Sequence, residues 1–523
     1  MNDLEKVAEK STRGSFHLFI GNFLSEIFNA VGIIIVARLL GPTEMGIYGL
    51  SFVIPGVFTI LTGLGLGQAM IRSLAIYQSQ DRWGDVKKAT MRGFMFQGGL
   101  ACILAVVMFL ASDFLAAVVL RRPEMVGLVR VTSVLVISQS IYTMSVSVFY
   151  GLERMDLMAT TMVLQSLVKG VAAPLLVIRG FGVDGAIYGH LLAVSAVSII
   201  SVILIWNYLR GKEDAEGPTG VEPLNDMLKM GFPLFLTTFV MNLNVGYQGI
   251  LLAWFTDNIA IGNWDVAKKF LSLVTLFTVP ITSVLYPAFS KFTFIEQPDE
   301  IKALFRSSVR YATIIVIPAT TIMILLSVQG IGFLFGTKYA MAPQFLSLAL
   351  LQFLTVGLGS LSVFGLLNSQ GDTATTFRLN AVTAALNIVF CTLLTWRWGV
   401  PGLLVGLFLA AMAGSTLNLY AVKTKYGIGF DLTHAVRVAV FSLLAAVVTG
   451  QVLRFFTGSS VLVQMVVGGL TFMGACLLLA PLTGSIVEGD VATLRRVLQR
   501  ERLIYRLVAP FLALEELIIG LLP

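Results

Sequence analysis

Charged side chains are scarce in this sequence: Asp, Glu, Lys and Arg make up 12% of 523 residues, about half of the roughly 25% usual in soluble domains. Apolar residues reach 56%, and the mean hydropathy is +0.86. So much apolar surface needs lipid as its solvent, which excludes a soluble globular class and indicates an all-α, polytopic membrane protein. A formal charge of +7 would suggest nucleic acid in a soluble chain. Here the basic residues sit beside apolar spans, and no nucleic-acid partner is expected. Cysteine is nearly absent: Cys102, Cys391 and Cys476 all fall in apolar segments, so neither a disulfide framework nor a CxxC metal site is implied. His17, His190 and His434 are scattered without metal-ligand spacing. No metal and no cofactor is expected, and His190 reads as a packing residue.

Catalytic motifs are missing as well. The chain has no G-x-x-x-x-G-K-[ST] loop, no H-E-x-x-H, no G-x-S-x-G and no DxD-like acidic cluster, so nucleotide hydrolysis of the P-loop kind is excluded. The loops assigned to the outside are short. An enzyme is therefore not expected, and transport would draw on an ion gradient, the membrane potential or the substrate's own concentration difference.

What is present is a succession of apolar segments of about 20 residues, the length that crosses a bilayer. Fourteen transmembrane helices are expected, from 15–37 to 460–482. About 25 of the 36 basic residues fall on one side of this arrangement, which makes that side and both termini cytoplasmic. Met1–Arg13 reads as a cytoplasmic lead-in and not as a cleaved signal. The expected organisation is an N-terminal lobe of spans 1–6 (1–210), a cytoplasmic linker (211–230), a C-terminal lobe of spans 7–12 (231–426), spans 13 and 14 (427–485) and a cytoplasmic amphipathic tail (486–523). Leu494, Leu498 and Leu503 among the arginines of 490–507 suit a helix lying on anionic membrane lipid.

Three echoes recur at nearly one offset. Gly182–Gly189 reads GVDGAIYG and Gly399–Gly406 reads GVPGLLVG; Gly46-Ile47-Tyr48 is echoed by Gly262-Asn263-Trp264; Val148-Phe149 with Asp156 is echoed by Val363-Phe364 with Asp372. Each pair is roughly 216 residues apart. An internal duplication of a six-helix bundle follows, giving two pseudo-symmetric lobes plus two extra helices, an architecture suited to a transport path between rocking halves.

Polar residues within spans are costly, and so they are the functional candidates. Asn22, Glu26 and Asn29 stand at i, i+4 and i+7 in the first span and share one helix face. In the seventh span Asn244 and Gln248 share a face, with Thr237. The repeat offset carries Glu26 onto Asn242 and Asn22 onto Thr238. Lys169, one turn after Gln165, lies midway along the fifth span. It would meet a phosphate, pair with Glu26, or hold a fixed packing partner. The candidate cavity set is therefore Asn22, Glu26, Asn29, Lys169, Asn242, Asn244 and Gln248, with Glu26 the candidate ion-coupling group. Asp265 and Lys269 read as a local i, i+4 pair. Pro55 and Pro280 would kink the second and eighth spans.

The segment ARLLGPTEMGIY from Ala37 to Tyr48 resembles the opening of the polysaccharide flippase family, within the multidrug/oligosaccharidyl-lipid/polysaccharide exporter superfamily. GLERMD at Gly151–Asp156, GVDG at Gly182–Gly185 and YPAFSK at Tyr286–Lys291 are similar to motifs of that family. The resemblance covers about residues 15–480. It implies two six-helix lobes around a central cavity lined by helices 1, 2, 7 and 8, with two extra helices offering a groove for a lipid tail. It implies movement of a polyprenyl-(pyro)phosphate-linked oligosaccharide or polysaccharide unit from the inner to the outer leaflet by alternating access. Family flippases often set cavity arginines against the pyrophosphate; the interior here has few basic groups besides Lys169. The expected partners are a lipid-linked glycan, membrane lipids, Na⁺ or H⁺, and glycan-assembly proteins, in the plasma membrane of a prokaryote. The alternatives are a cation-coupled multidrug or toxic-compound exporter of the same superfamily, and a non-transporting scaffold of a glycan-assembly complex.

Overall fold

A computed structural model describes residues 3–212, 220, 224–429 and 431–486, and the single positions 489, 491 and 495. Apart from 491 and 495, the amphipathic tail segment expected over 490–507 lies outside the described residues, as do 213–219 and 221–223 of the linker. Among those described, the secondary structure is entirely helical. This is what a bilayer demands of spanning segments, since a helix satisfies its backbone polar groups internally. Among the described residues, ten helices are long and apolar enough to cross a membrane, or eleven if one bent pair counts as a span. The chain is a multi-pass membrane protein.

Two compact units divide the chain, 1–265 and 266–523. The first holds α1 (Asp3–Leu40), α2 (Pro42–Leu50), α3 (Val53–Gly63), α4 (Leu66–Ser79), α5 (Trp83–Leu110), the short α6 (Ser112–Phe114), α7 (Val126–Gly151), α8 (Met155–Leu176), α9 (Gly182–Arg210) and α10 (Leu224–Phe255). It also takes the first residues of α11 (Asn258–Phe289). The second holds the rest of α11, then α12 (Pro298–Leu325), α13 (Ser327–Phe335), α14 (Ala342–Leu350), α15 (Val363–Ser369), α16 (Thr373–Trp398), α17 (Val400–Tyr426), α18 (Leu432–Arg454) and α19 (Val461–Leu482).

The duplicated sequence echoes carry duplicated geometry. Gly182 opens α9 at φ 52°, ψ −136°, and Gly399 precedes α17 at φ 61°, ψ −134°. Such values are almost confined to glycine, and they turn α8 back onto α9 and α16 back onto α17. About two turns further on, a Cβ on Gly189 would lie 2.4 Å from Ala173 Cα, and one on Gly406 would lie 2.9 Å from the Cys391 nitrogen. Each unit thus contains one tight helical hairpin closed by the same glycine pattern, the small-residue packing common in membranes. Val148 and Val363 are each fully buried in an apolar core of their own unit.

The third echo makes a contact with itself inside the first unit. A Cβ on Gly46 would sit 1.9 Å from the Asn258 carbonyl oxygen, and one on Gly262 would sit 1.9 Å from that of Pro42. Pro42 and Asn258, like Gly46 and Gly262, are separated by the repeat offset, so α2 and the start of α11 cross as equal partners, as across a two-fold axis.

The second span is more broken than its sequence suggests. The helix is interrupted at Ser51–Phe52, where the dihedral angles stay right-handed but Pro55, one turn on, has no N–H to bond the Ser51 carbonyl. Helix geometry lapses outright at Leu64–Gly65, both left-handed at φ 42° and 83°. Gly65 there meets Gly231 of α10 backbone to backbone. By contrast α11 is a single helix through position 280; the Pro280 side chain itself lies outside the described residues. Hydroxyl and amide groups tie α3, α5 and α7 together: Thr62 and Ser140 share a 2.6 Å hydrogen bond, and the Gln97 amide donates to the Ser140 carbonyl at 3.0 Å. Two described residues of the linker are anchored to the start of α5. Lys87 donates to the Lys212 carbonyl at 2.8 Å, and Arg82 to that of Gly220 at 2.7 Å.

Candidate functional site

Helix α1 packs along α8 through its small residues. A Cβ on Gly32 would lie 2.6 Å from Gly170 Cα, and one on Gly21 would meet Ala159 at the same distance. This register sets where the polar stripe points. Asn22 and Glu26 are exposed and Asn29 is half-buried. Among the described residues no hydrogen bond or ion pair reaches Glu26, so it forms no pair with Lys169.

Lys169 meets the stripe at its other end. It is half-buried on α8 and lines a narrow cleft with Asn29, Ile33, Val36 and the buried Tyr48 of α2. The cleft holds about 10 Å³, roughly the room of one water. Asn29 and Lys169, distant in sequence, are thus brought together, while Glu26 stands one turn away on the same helix face. Tyr48 is not marked by polar periodicity in the sequence. Its place within the Gly46–Tyr48 echo was the available signal.

On α10 the Gln248 amide donates to Asn244 Oδ1 at 3.3 Å, as their i, i+4 spacing anticipates. Gly246 and Gly249 pack on Val57 and Val53 of α3, so Asn244 and Gln248 lie on the face of α10 turned away from α3. Position 242 falls in register with Gly246 and Gly249, not with Asn244 and Gln248; the side chains of Asn242, Thr237 and Thr238 lie outside the described residues. Asp265 is 6% exposed, with its carboxylate against Gly49, whereas Lys269 is exposed. The His190 ring packs edge-on against Phe52, centroids 4.8 Å apart.

Two ion-paired turns occupy equivalent places in the two units. Arg154 binds Asp156 through hydrogen bonds of 2.8 and 2.6 Å at the start of α8. In the turn before α16, Asp372 pairs with Lys425 and accepts the Thr375 backbone N–H. Burial pushes the Asp372 carboxyl upward, but Lys425 and Thr375 outweigh it and hold it below the usual carboxylate range. A basic cluster grips the α10–α11 turn. Arg122 donates to the Thr256 carbonyl at 2.6 Å and to Asn258 Oδ1 at 3.0 Å, and the Arg121 guanidinium lies 4.4 Å from the Trp254 ring. Among the described residues no group of His, Cys, Asp and Glu could hold a metal ion.

A family model described as "Polysaccharide biosynthesis protein" matches residues 11–293. The curated protein "Probable low-salt glycan biosynthesis flippase Agl15" of Haloferax volcanii is 22% identical over 471 residues, 87% of this chain and 92% of that protein. Among solved structures, the lipid II flippase MurJ in an inward closed conformation superposes with a TM-score of 0.71 at 15% identity, over 88% of this chain and 98% of that one. An inward-facing multidrug resistance MATE transporter of the MOP superfamily gives a TM-score of 0.61 at 18% identity, over 77% and 94%.

Proposed function

Because the chain belongs to the polysaccharide biosynthesis protein family, its model matching more than half the sequence, we propose that it is a flippase. Its cargo is a polyprenyl-(pyro)phosphate-linked oligosaccharide or polysaccharide unit, moved from the inner to the outer leaflet by alternating access and without bond chemistry on the glycan. The likeness to the Haloferax volcanii glycan flippase along 92% of that protein's length carries this reading. The exposed Asn22–Glu26 stripe within a membrane-spanning helix supports it, since polar groups at that depth imply a wet path.

The same reading has fourteen spans. The segment Met155–Arg210 counts as the α8–α9 hairpin, the bent pair from Ala342 to Ser369 as one span, and α10 and α11 as two more. Spans 1–6 and 7–12 form the two lobes, and both termini are cytoplasmic in a prokaryotic plasma membrane. Glu26 is the carboxylate that couples movement to Na⁺ or H⁺. Asn22, Asn29, Asn244 and Gln248 line the path, Asn242 stands at its edge on the side of α10 that meets α3, and Lys169 presents its ammonium to the phosphate from the cleft beside Asn29. Glycan-assembly proteins supply and take up the cargo.

A second reading, export of organic cations, has the MATE-like fold and the exposed acid Glu26 in its favour. Ethidium accumulation in cells producing the chain separates the two. A flippase leaves accumulation at the level of the empty vector, and a gradient-dependent fall in ethidium would replace the flippase reading with the exporter.

A further inference from the structure

On the face of α1 away from the polar stripe, a groove of about 430 Å³ follows the crossing with α8, within the ~300–1,000 Å³ of small-molecule sites. Ile20 and Leu24 form one wall; Val163, Leu164 and Leu167 form the other. At about 100° per residue these α1 positions lie roughly half a turn round the helix from Asn22, Glu26 and Asn29. The floor is the Gly21–Ala159 approach, too close for any side chain on Gly21. Polar groups gather at one end only, where His17, Thr160 and Asp156 line the groove and Arg154 is bound to Asp156.

From Asp156 to Leu167 the helix advances about 16 Å, passing from an ion-paired end to a wholly aliphatic one. That is the polarity of a lipid laid along a helix, with its chain in the hydrocarbon and its head at the interface. Two further features favour an unsaturated lipid chain that belongs to the cargo. Phe16 lines the rim at 61% exposure, offering a ring face to double bonds. The groove is also cut into the one helix that bears the Asn22–Glu26–Asn29 stripe, so a single helix would hold the chain on one face and present polar groups for the head on the other.

We propose that the α1–α8 groove binds the head-proximal part of the polyprenyl chain of the translocated lipid. The proposal rests on the flippase reading and gives it a chain-binding site on α1 and α8, apart from α18 and α19.

The test uses the full chain in phosphatidylglycerol liposomes with a polyprenyl phosphate carrying a diazirine near the head end of its chain. After illumination, labelled peptides are mapped by mass spectrometry. Labels are expected within 16–24 and 156–167, reduced at least tenfold by unlabelled polyprenyl phosphate and unchanged by extra phosphatidylglycerol. Leu164→Trp, which fills the groove, should cut labelling at least fivefold, and Val163→Phe provides a second filling variant if the first fails to fold. Labelling confined to α18 and α19, or equal displacement by phosphatidylglycerol, overturns the groove. Translocation of a lipid-linked glycan is followed in the same liposomes. Movement without groove labelling overturns this proposal and leaves the flippase standing. Groove labelling without movement overturns the flippase reading and keeps a polyprenyl-lipid site.

Discussion

Glu26 is a carboxylate exposed on a membrane helix with no hydrogen bond or ion pair among the described residues. A charge so placed is costly unless water or a cation attends it. If it couples movement to an ion, Glu26→Gln keeps the shape and removes the charge. Gradient-driven translocation should fall by about tenfold, equivalent to roughly 1.4 kcal/mol, with unchanged expression and melting temperature. A wild-type rate would remove Glu26 from the coupling step. Asp372 allows a different test, because its carboxyl is held below the usual range by Lys425 and Thr375. A depressed carboxylate adds stability above its unfolded pKa of about 3.9, and that stability is lost as pH falls through the folded value. Half of Lys425 lies in solvent, so screening limits the effect to about 0.2–1 kcal/mol. Asp372→Asn retains a capping side chain and should lower the melting temperature slightly at pH 7, with the difference from wild type vanishing towards pH 3. An undiminished difference at pH 3 would show that charge is not the cause. The i, i+4, i+7 spacing of Asn22, Glu26 and Asn29 was legible because helical periodicity alone puts them on one face. The meeting of Asn29 with Lys169 and Tyr48 was not, because it depends on how α1 registers against α8 at Gly32 and Gly170.

At the scale of elements, apolar length made the spans legible, and it also hid their interruptions. The residues around Ser51–Phe52 and Leu64–Gly65 are as apolar as their surroundings, so hydropathy runs through a lost hydrogen bond at the first and a left-handed turn at the second. Pro55 marked the first. The second needed knowledge that α10 crosses there, glycine against glycine. Pro280 was the opposite case, since α11 continues through it. The hairpin glycines are the clearest element-level test. Gly189→Ala and Gly406→Ala each press a methyl against neighbouring backbone and should destabilise by ~1–3 kcal/mol, the usual range for overpacking. Gly469→Ala in α19 points into open space and should be neutral or gain up to ~1 kcal/mol from helix propensity. Thermal unfolding in detergent reads both signs, and equal shifts at all three positions would show that the close approach is not what holds the hairpins.

For the whole molecule, the glycine echoes at nearly one offset were legible in the sequence, and at those positions the structure has matched dihedral angles, at Gly182 and Gly399, and a reciprocal crossing of Gly46 with Gly262. Glycines reveal a repeat well because backbone geometry and close approach leave no other residue to take their place. The path residues read less clearly, since polar groups in a span serve packing and transport alike. This helical bundle moves a lipid-linked glycan between leaflets. The most direct measurement reconstitutes the full chain in liposomes with a fluorescent polyprenyl-pyrophosphate-linked sugar and follows its exposure to a membrane-impermeant quencher. The expected result is protein-dependent equilibration between leaflets, slowed by Glu26→Gln and by Lys169→Met. A quenched fraction that stays at the protein-free level, with Na⁺ and H⁺ gradients imposed in either direction, would contradict it.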